Sequence, residues 1–189
     1  MSNPVVDNAF IKWEDALTPA EVDAIEAYGD RLLHQKAALA QPTDKNYEDI
    51  RVTKLAWIGQ NAETAAFYDK MTRIVRELNQ KFYHFVLTEL ENFQYTVYDG
   101  DEGGHYDWHI DYGPHNPRPR KMSLSVQLSD SEAYQGCDLQ FQIGGKIAAA
   151  PRKRGTVVAF PSFFLHRVTP VTAGIRKSLV VWAAGPGFR

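Results

Sequence analysis

Four residues that can bind a metal stand at every second position of GGHYDWHIDYG, residues 103–113: His105, Asp107, His109 and Asp111. In an extended strand, alternate side chains lie on the same face. The spacing therefore predicts two imidazoles and two carboxylates on one face, with Tyr106, Trp108 and Ile110 on the other. The stretch contains two overlapping His-x-Asp pairs, and the spacing alone does not choose between them.

A metal that activates oxygen needs few protein ligands, because the reactants must also bind to it. Two histidines and one carboxylate on one side of an octahedral iron leave three positions open. One His-x-Asp pair supplies two ligands, so the third must come from elsewhere in the chain. His166 is the candidate, since it follows an apolar strand and the bend at Pro161-Ser162. In a jelly roll, strands this far apart in sequence can lie side by side.

A cation follows this candidate ligand. Arg176 stands ten residues after His166, at the start of the last predicted strand. Its guanidinium suits two-pronged binding of a carboxylate. Ser178 comes two residues later, hence on the same face of the strand, and could add a hydroxyl. An iron site beside an inward arginine is what a dicarboxylate cosubstrate would need.

Helices are predicted in the first half of the chain. Thr18-Pro19-Ala20-Glu21 has the residues of a helix start, with Thr as the cap, Pro in the first turn and Glu three residues after Thr. A second helix is predicted over about 62–82, because apolar residues recur there at intervals of three and four. Between them, DIRVTKLAWIG at 49–59 resembles a strand.

Short runs rich in β-branched and aromatic residues fill the second half of the chain, separated by Gly, Pro, Asp and Asn. The predicted strands are FQYTVY (93–98), HYDWHI (105–110), KMSLSVQL (121–128), CDLQFQI (137–143), GTVVAF (155–160) and RKSLVVWA (176–183). Strands without intervening helices predict an antiparallel sandwich or barrel, and a jelly roll fits best. The expected fold is mainly β with N-terminal helices.

Two of these strands have one mixed polar face. RKSLVVWA has Arg176, Ser178, Val180 and Trp182 on one side, and FQYTVY has Gln94, Thr96 and Tyr98 opposite an apolar set. If these faces point inward, the barrel encloses a polar pocket. If they point outward, they are the solvent side of a half-exposed sheet, and alternation alone leaves both readings open.

Length and composition predict one domain over 1–189, with a helical support region over about 1–82 and a jelly-roll core over about 83–185. The net charge of −2 gives no electrostatic reason to expect a nucleic acid or an anionic membrane as partner. The single cysteine, Cys137, excludes an internal disulfide, and no leader or membrane span is evident. We therefore expect a cytoplasmic protein.

The ordered set of motifs resembles the iron(II)- and 2-oxoglutarate-dependent oxygenases, and especially the prolyl-hydroxylase-like branch with its PKHD-type members. The motifs are Tyr98-x-Gly100, then Tyr106-x-x-His109-x-Asp111, then PSFFLHRVTPVTAGIRKSLVVW at 161–182. The resemblance extends over about 49–183. His-x-Asp alone is a weak signal, but a late His followed ten residues later by Arg is a specific one.

The resemblance implies a double-stranded β-helix (jelly roll) and selects His109 and Asp111, with His166, as ligands of Fe(II). It also implies that Arg176 binds 2-oxoglutarate, assisted by Tyr98 and Ser178. The implied reaction consumes O2 and hydroxylates a C–H bond of a prolyl residue in a peptide or protein, or of a free amino acid. Succinate and CO2 are released, and ascorbate would serve as a reductant.

Other readings stay open on the residues alone. A zinc-dependent hydrolase or lyase could use the same ligands, since ligand type does not fix the metal. A non-catalytic jelly-roll module with a structural metal is a further alternative. Arg176 disfavours both, because neither needs a carboxylate anchor. The roles of His105, Asp107, His115 and Arg51 are left open, and substrate specificity is expected in loops near 40–50, 99–104, 113–120 and 129–136.

Overall fold

The structure is a computed structural model that describes residues 2–7, 10–37, 50–113 and 118–187. Its helices are α1 (Pro19–Ala37) and α2 (Ala65–Leu78), and α2 continues as a short π-helix, Asn79–Tyr83. The predicted start of α1 is confirmed. The Glu21 carboxylate accepts a hydrogen bond from the Thr18 N–H at 2.7 Å, and the Thr18 hydroxyl accepts one from the Glu21 N–H at 3.3 Å. Neither described helix combines the length and the apolar content needed to cross a membrane.

Most strands of the described residues are short, and they follow one another through most of the chain. They are β1 (Val5–Asp7), β2 (Phe10–Trp13), β3 (Arg51–Val52), β4 (Lys54–Ile58), β5 (Glu89–Leu90), β6 (Phe93–Asp99), β7 (His105–His109), β8 (Arg120–Gln127), β9 (Tyr134–Gly136), β10 (Leu139–Ile143), β11 (Lys146–Ala149), β12 (Val157–Pro161), β13 (His166–Val168) and β14 (Val171–Ala184).

These strands form two antiparallel sheets. The large sheet has the order β1-β2-β12-β8-β14-β6-β4, and β5 and β9 also pair with β14. The small sheet has the order β11-β10-β13-β7-β3. All six strands predicted in the second half are present, and the predicted double-stranded β-helix is confirmed. The predicted helical region before residue 83 also supplies strands, because β2 and β4 both join the large sheet.

The main hydrophobic core lies between the outer face of the large sheet and the helices. Leu179 and Val181 of β14 are completely buried there, together with Met71 and Leu78 of α2. Burial of such a side chain stabilises the fold by about 1.5–3 kcal/mol. The apolar faces of β6 and β14 are therefore used for the core, and their mixed faces point the other way, into the space between the sheets.

Helix α1 approaches the same outer face at Gly29. A Cβ atom at this position would lie 2.4 Å from the ring of Tyr95, so only glycine lets the helix come this close without a shift of the ring. The Tyr95 hydroxyl donates to the Asp30 carboxylate at 2.7 Å, and Asp30 also pairs with Lys177 of β14 at 2.7 Å. The helix is thereby fixed to the strand that carries Arg176.

Candidate metal centre

Three side chains from the small sheet and its adjoining loop meet at one point. His109 and His166 stand opposite each other on the paired strands β7 and β13, and Asp111 follows β7 by two residues. The His109 Nε2 atom lies 3.9 Å from one oxygen of Asp111, and the His166 Nε2 atom lies 3.6 Å from the other. Within the described part of the chain, no other group of three potential ligands is this compact.

Both imidazoles are held with Nε2 toward the cluster. The Nδ1 atom of His109 lies 2.7 Å from the Asp107 carbonyl, and that of His166 lies 2.9 Å from the Phe164 carbonyl. A carbonyl oxygen can only accept, so each Nδ1 carries the proton and each Nε2 presents a lone pair. Burial, with His166 nearby, lowers the pKa of His109 and favours its neutral form. Neutral imidazoles are the form that binds a metal.

The Asp111 carboxylate is oriented from behind by two buried serines. The Ser123 hydroxyl donates to Asp111 at 2.7 Å and lies 2.9 Å from the Ser162 hydroxyl. The Ser162 carbonyl also accepts from the Asp111 N–H at 2.9 Å. Sequence reasoning missed both serines. Ser123 alternates with apolar residues in KMSLSVQL, a pattern that resembles a solvent face as much as a site face.

A β-bulge corrects the prediction that His105, Asp107, His109 and Asp111 share one face. His166 pairs with His109 and Val168 pairs with Tyr106, so β7 holds one extra residue over this interval. Tyr106 therefore lies on the same side as His109, and their rings stack with centroids 3.5 Å apart. The Asp107 side chain is exposed and caps the Trp108 N–H. Of the two His-x-Asp pairs, only His109 and Asp111 belong to the cluster.

Arg176 is the most deeply buried cation of the cavity, with 1% of its surface exposed. Its Nη2 donates to the Gln127 amide oxygen at 2.9 Å, but Nε and Nη1 have no hydrogen-bond partner in the described structure. A buried guanidinium without an anionic partner is costly, since a buried charge is normally paired. The arrangement is suited to receiving a carboxylate from a ligand. Gln127 was not predicted as a site residue, because it belongs to the same alternating stretch as Ser123, whose pattern resembles a solvent face.

Tyr98 and Ser178 line the same cavity as Arg176 and the metal cluster. Tyr98 stands opposite Arg176 across the pairing of β6 with β14, and the guanidinium lies 5.6 Å from the centre of its ring. Burial raises the pKa of Tyr98 to about 12, so its hydroxyl stays protonated and can donate a hydrogen bond. All three residues predicted to bind a cosubstrate thus point into one space.

Residues from both sheets line this cavity. Arg51, which the sequence left open, lines it with Gln94, Tyr106 and Trp182. The indole N–H of Trp182 is buried and has no described partner. Of the predicted specificity loops, residues 38–49 and 114–117, which include His115, lie outside the described residues.

Two histidines and one carboxylate on one side of a metal are the ligand set of non-haem Fe(II) oxygenases. This donor set leaves room on the metal for reactants. The same cavity holds an unpaired buried guanidinium, which a zinc hydrolase or a structural site does not require. The cavity can therefore hold a metal with free coordination positions beside a site for an anionic ligand.

Comparison with known families gives a match to the model of the 2OG-Fe(II) oxygenase superfamily over residues 93–184, just under half of the chain. The matched region begins with β6, ends with β14 and includes the three clustered side chains. Solved structures give the same fold. A Pseudomonas putida prolyl-4-hydroxylase has a TM-score of 0.72 at 23% identity, over 95% of this chain and 94% of that one.

A prolyl hydroxylase from Trichoplax adhaerens, in complex with a hypoxia inducible factor peptide fragment, has a TM-score of 0.74 at 18% identity, over 94% of this chain and 84% of that one. Curated relatives are PKHD-type hydroxylases. One from Synechococcus is 31% identical over 105 residues, which are 56% of this chain and 43% of the relative. One from Hyphomonas neptunium is 39% identical over 85 residues, 43% of this chain and 38% of the relative. The chain thus matches less than half the length of either relative.

Proposed function

We propose that the chain is a member of the 2OG-Fe(II) oxygenase superfamily, whose model matches residues 93–184, and that it is an Fe(II)- and 2-oxoglutarate-dependent dioxygenase that hydroxylates a C–H bond. One observation carries the proposal. The compact cluster of His109, Asp111 and His166 shares its cavity with Arg176, a buried arginine that has two unpaired donor atoms. The first feature fits a reactive metal and the second fits an anionic cosubstrate.

His109, Asp111 and His166 would hold the Fe(II). Both Nε2 lone pairs already point at the cluster, and the hydrogen bond from Ser123 keeps the carboxylate turned toward them. The donor set suits iron, because imidazole and carboxylate ligands in this number leave positions for other reactants. The protein's task here is to hold three ligands rigidly and leave the rest of the metal free.

Arg176 would bind the distal carboxylate of 2-oxoglutarate through Nε and Nη1, and Tyr98 and Ser178 would donate hydrogen bonds from either side. When bound, Fe(II) and 2-oxoglutarate together supply the oxidising power that hydroxylates the substrate with O2, releasing succinate and CO2. Gln127 keeps the guanidinium aimed into the cavity. The surrounding apolar walls, including Phe160 and Val180, exclude water from the reacting atoms.

We further propose that the substrate is a prolyl residue of a peptide or protein, or a free amino acid. The support is the likeness to prolyl hydroxylases, one of which was solved with a peptide fragment. Such a substrate would bind beside Arg51 and Trp182, which line the cavity together with the metal cluster. A zinc hydrolase or a non-catalytic module has no comparable support, because neither role uses Arg176.

Succinate formation tests the proposal directly. Metal-free protein is supplied with Fe(II), ascorbate and 2-oxoglutarate in air, and succinate is measured with and without Arg176→Met and His166→Ala substitutions. We expect slow 2-oxoglutarate turnover by the wild type that clearly exceeds that of both variants. Turnover no faster than in the variants, together with tight Zn²⁺ binding, would instead favour the hydrolase or structural role.

A further inference from the structure

Arg51 of β3 lines the cavity and extends its guanidinium to the large sheet. Its Nη2 donates to the amide oxygen of Gln94 on the large sheet at 2.7 Å, so the side chain bridges the two sheets. Its central carbon lies 4.6 Å from the centre of the Tyr106 ring. The Nε atom is buried but has no partner among the described residues. Arg51 thus combines a fixed position with a free donor.

This donor belongs to a side chain that lines the same cavity as the metal cluster. The Tyr106 ring lies between the Arg51 guanidinium on one side and the His109 imidazole, at 3.5 Å, on the other. Arg51 is therefore separated from a proposed metal ligand by a single aromatic ring. A group bound at its Nε would lie in the same cavity as the metal cluster.

The charge of Arg51 has no described counterpart. Arg120, which packs on Trp182 of the cavity wall, differs because it forms a two-pronged ion pair with Glu91 at 2.6 and 2.7 Å. For Arg51, the described structure offers only a neutral amide and a ring. With Fe(II) and 2-oxoglutarate bound, Asp111 and the dianionic cosubstrate would offset the metal and one arginine. One positive charge, that of Arg51, remains in the lining of the cavity.

We propose that Arg51 binds a carboxylate of the substrate within the cavity that contains the metal cluster. This inference rests on the proposed function and narrows its substrate class to molecules with a free carboxylate. A free amino acid and the C-terminal residue of a peptide both provide this group. A partly buried cation with an unused N–H gains a charge-assisted hydrogen bond from such a ligand, whereas a carboxamide gives only a neutral one.

Arg51 could instead have only a packing role, in which it holds Tyr106 and so steadies His109. The two roles differ in one measurable respect. If Arg51 has only a packing role, its replacement should weaken the binding of every substrate to the same extent. If Arg51 binds a carboxylate, its replacement should weaken the binding of acids and leave the binding of the corresponding amides largely unchanged.

The test is a binding measurement that needs no turnover. Protein loaded with Mn(II) and 2-oxoglutarate is screened by ligand-observed NMR against the amino acids, their N-acetyl derivatives and the carboxamides of both sets. The strongest acid and its amide are then titrated by calorimetry. We expect the acid to bind about 10- to 100-fold more tightly than its amide. Preference for the free or the N-acetylated acid identifies an amino-acid or a peptide substrate.

The variants Arg51→Gln and Arg51→Lys test whether Arg51 causes the difference in affinity between the acid and its amide. We expect Arg51→Gln to remove the preference for acid over amide and Arg51→Lys to keep part of it. If Arg51→Gln fails to bind Mn(II), Arg51→Lys and the wild-type preference remain informative. Arg167→Gln is the matched control, since Arg167 also pairs with a glutamine and packs on an aromatic ring, Trp108.

Three outcomes would overturn the inference: equal binding of acid and amide by the wild type, no binding by any probe, or an unchanged preference in Arg51→Gln. Failure of the proposed function is visible separately, because it would abolish succinate formation by the wild type. A protein that forms succinate but does not distinguish acids from amides would retain the proposed function and refute only the role of Arg51.

Discussion

The two faces of strand β14 are both buried, but they differ in polarity. On the outer face, Leu179 and Val181 are completely buried against the helices and bear no polar group. On the inner face, Arg176 and Trp182 are almost as deeply buried, yet both retain donor atoms without described partners. Alternation along one strand therefore separates apolar side chains, which stabilise the fold, from side chains with unpaired donor atoms, whose burial costs stability.

This difference indicates where a ligand is expected. More than about 90% of buried polar groups in native proteins are hydrogen-bonded, so unpaired donors are exceptions that need a reason. Here the unpaired donors of Arg51, Arg176 and Trp182 line the same cavity. A ligand rich in hydrogen-bond acceptors would pair with these donors and offset the stability that their burial costs. Substitutions on the inner face should then change ligand binding, and substitutions on the outer face should change stability.

The largest effect on the inner side is expected at Asp111. Loss of a residue that only supports a metal ligand typically weakens metal binding by about 10- to 100-fold. We expect Asp111→Ala to weaken Mn(II) or Fe(II) binding well beyond this, because Asp111 is itself a proposed ligand. The matched control is Asp107→Ala, which removes an exposed carboxylate from the neighbouring pair and should retain most of the affinity. Calorimetric titration of metal-free protein measures both. The reverse ranking would mean that the other His-x-Asp pair binds the metal.

The next largest effect on ligand binding is expected at Arg176. Its replacement should separate cosubstrate affinity from protein stability most clearly. We expect Arg176→Met to weaken 2-oxoglutarate binding at least about 100-fold, because two charge-assisted hydrogen bonds are lost. The same change should leave the melting temperature of the ligand-free protein unchanged or higher, since it removes a buried charge without an anionic partner. Calorimetry of cosubstrate binding and thermal unfolding check the two halves. A marked fall in melting temperature would show that Arg176 also holds the fold together.

Leu179, three residues further along the same strand, should behave in the opposite way. Leu179→Ala removes a completely buried side chain from the main core, which is expected to lower the free energy of unfolding by about 3 kcal/mol. Metal and 2-oxoglutarate affinities of the folded protein should stay within about twofold, since the side chain points away from the cavity. Urea unfolding and calorimetry provide the measurements. A large loss of affinity would mean that the two faces are not independent.

The sequence predicted the parts of the molecule that depend on local pattern. Alternation gave the strands of the second half, and the Thr18 to Glu21 motif gave the start of α1. The spacing of His166 and Arg176 placed both on strands that do reach the cavity. Each of these features is encoded within a short stretch and needs no knowledge of its neighbours.

The parts that the sequence did not predict depend on pairing between distant strands. The bulge between Tyr106 and His109 exists because β7 is fitted against β13, and it reverses the face on which Tyr106 lies. Ser123, Gln127 and Gln94 are polar residues in alternating strands, and only the closure of the two sheets makes them interior. Short strands such as β2 were missed because three or four residues give too little periodicity to recognise.

Ser123 provides a smaller test of the inner face. We expect Ser123→Ala to weaken metal binding by about 10-fold, because the carboxylate of Asp111 loses the hydrogen bond that orients it. Ser125→Ala, two residues further along the same face, should have little effect on metal binding. Calorimetric titration with Mn(II) compares the two. If both variants bind equally well, the backbone alone fixes the position of Asp111.

Tyr95 tests the outer face with the smallest expected change. Its ring is completely buried beside Gly29, and its hydroxyl is the polar exception among the apolar side chains around it. Tyr95→Phe keeps the ring and removes the hydrogen bond to Asp30, which should lower the free energy of unfolding by about 1 kcal/mol. Asp30 retains Lys177, the neighbour of Arg176, so β14 stays attached to α1. Cosubstrate affinity should therefore not change, and a loss measured by calorimetry would mean that α1 helps to set the position of the arginine.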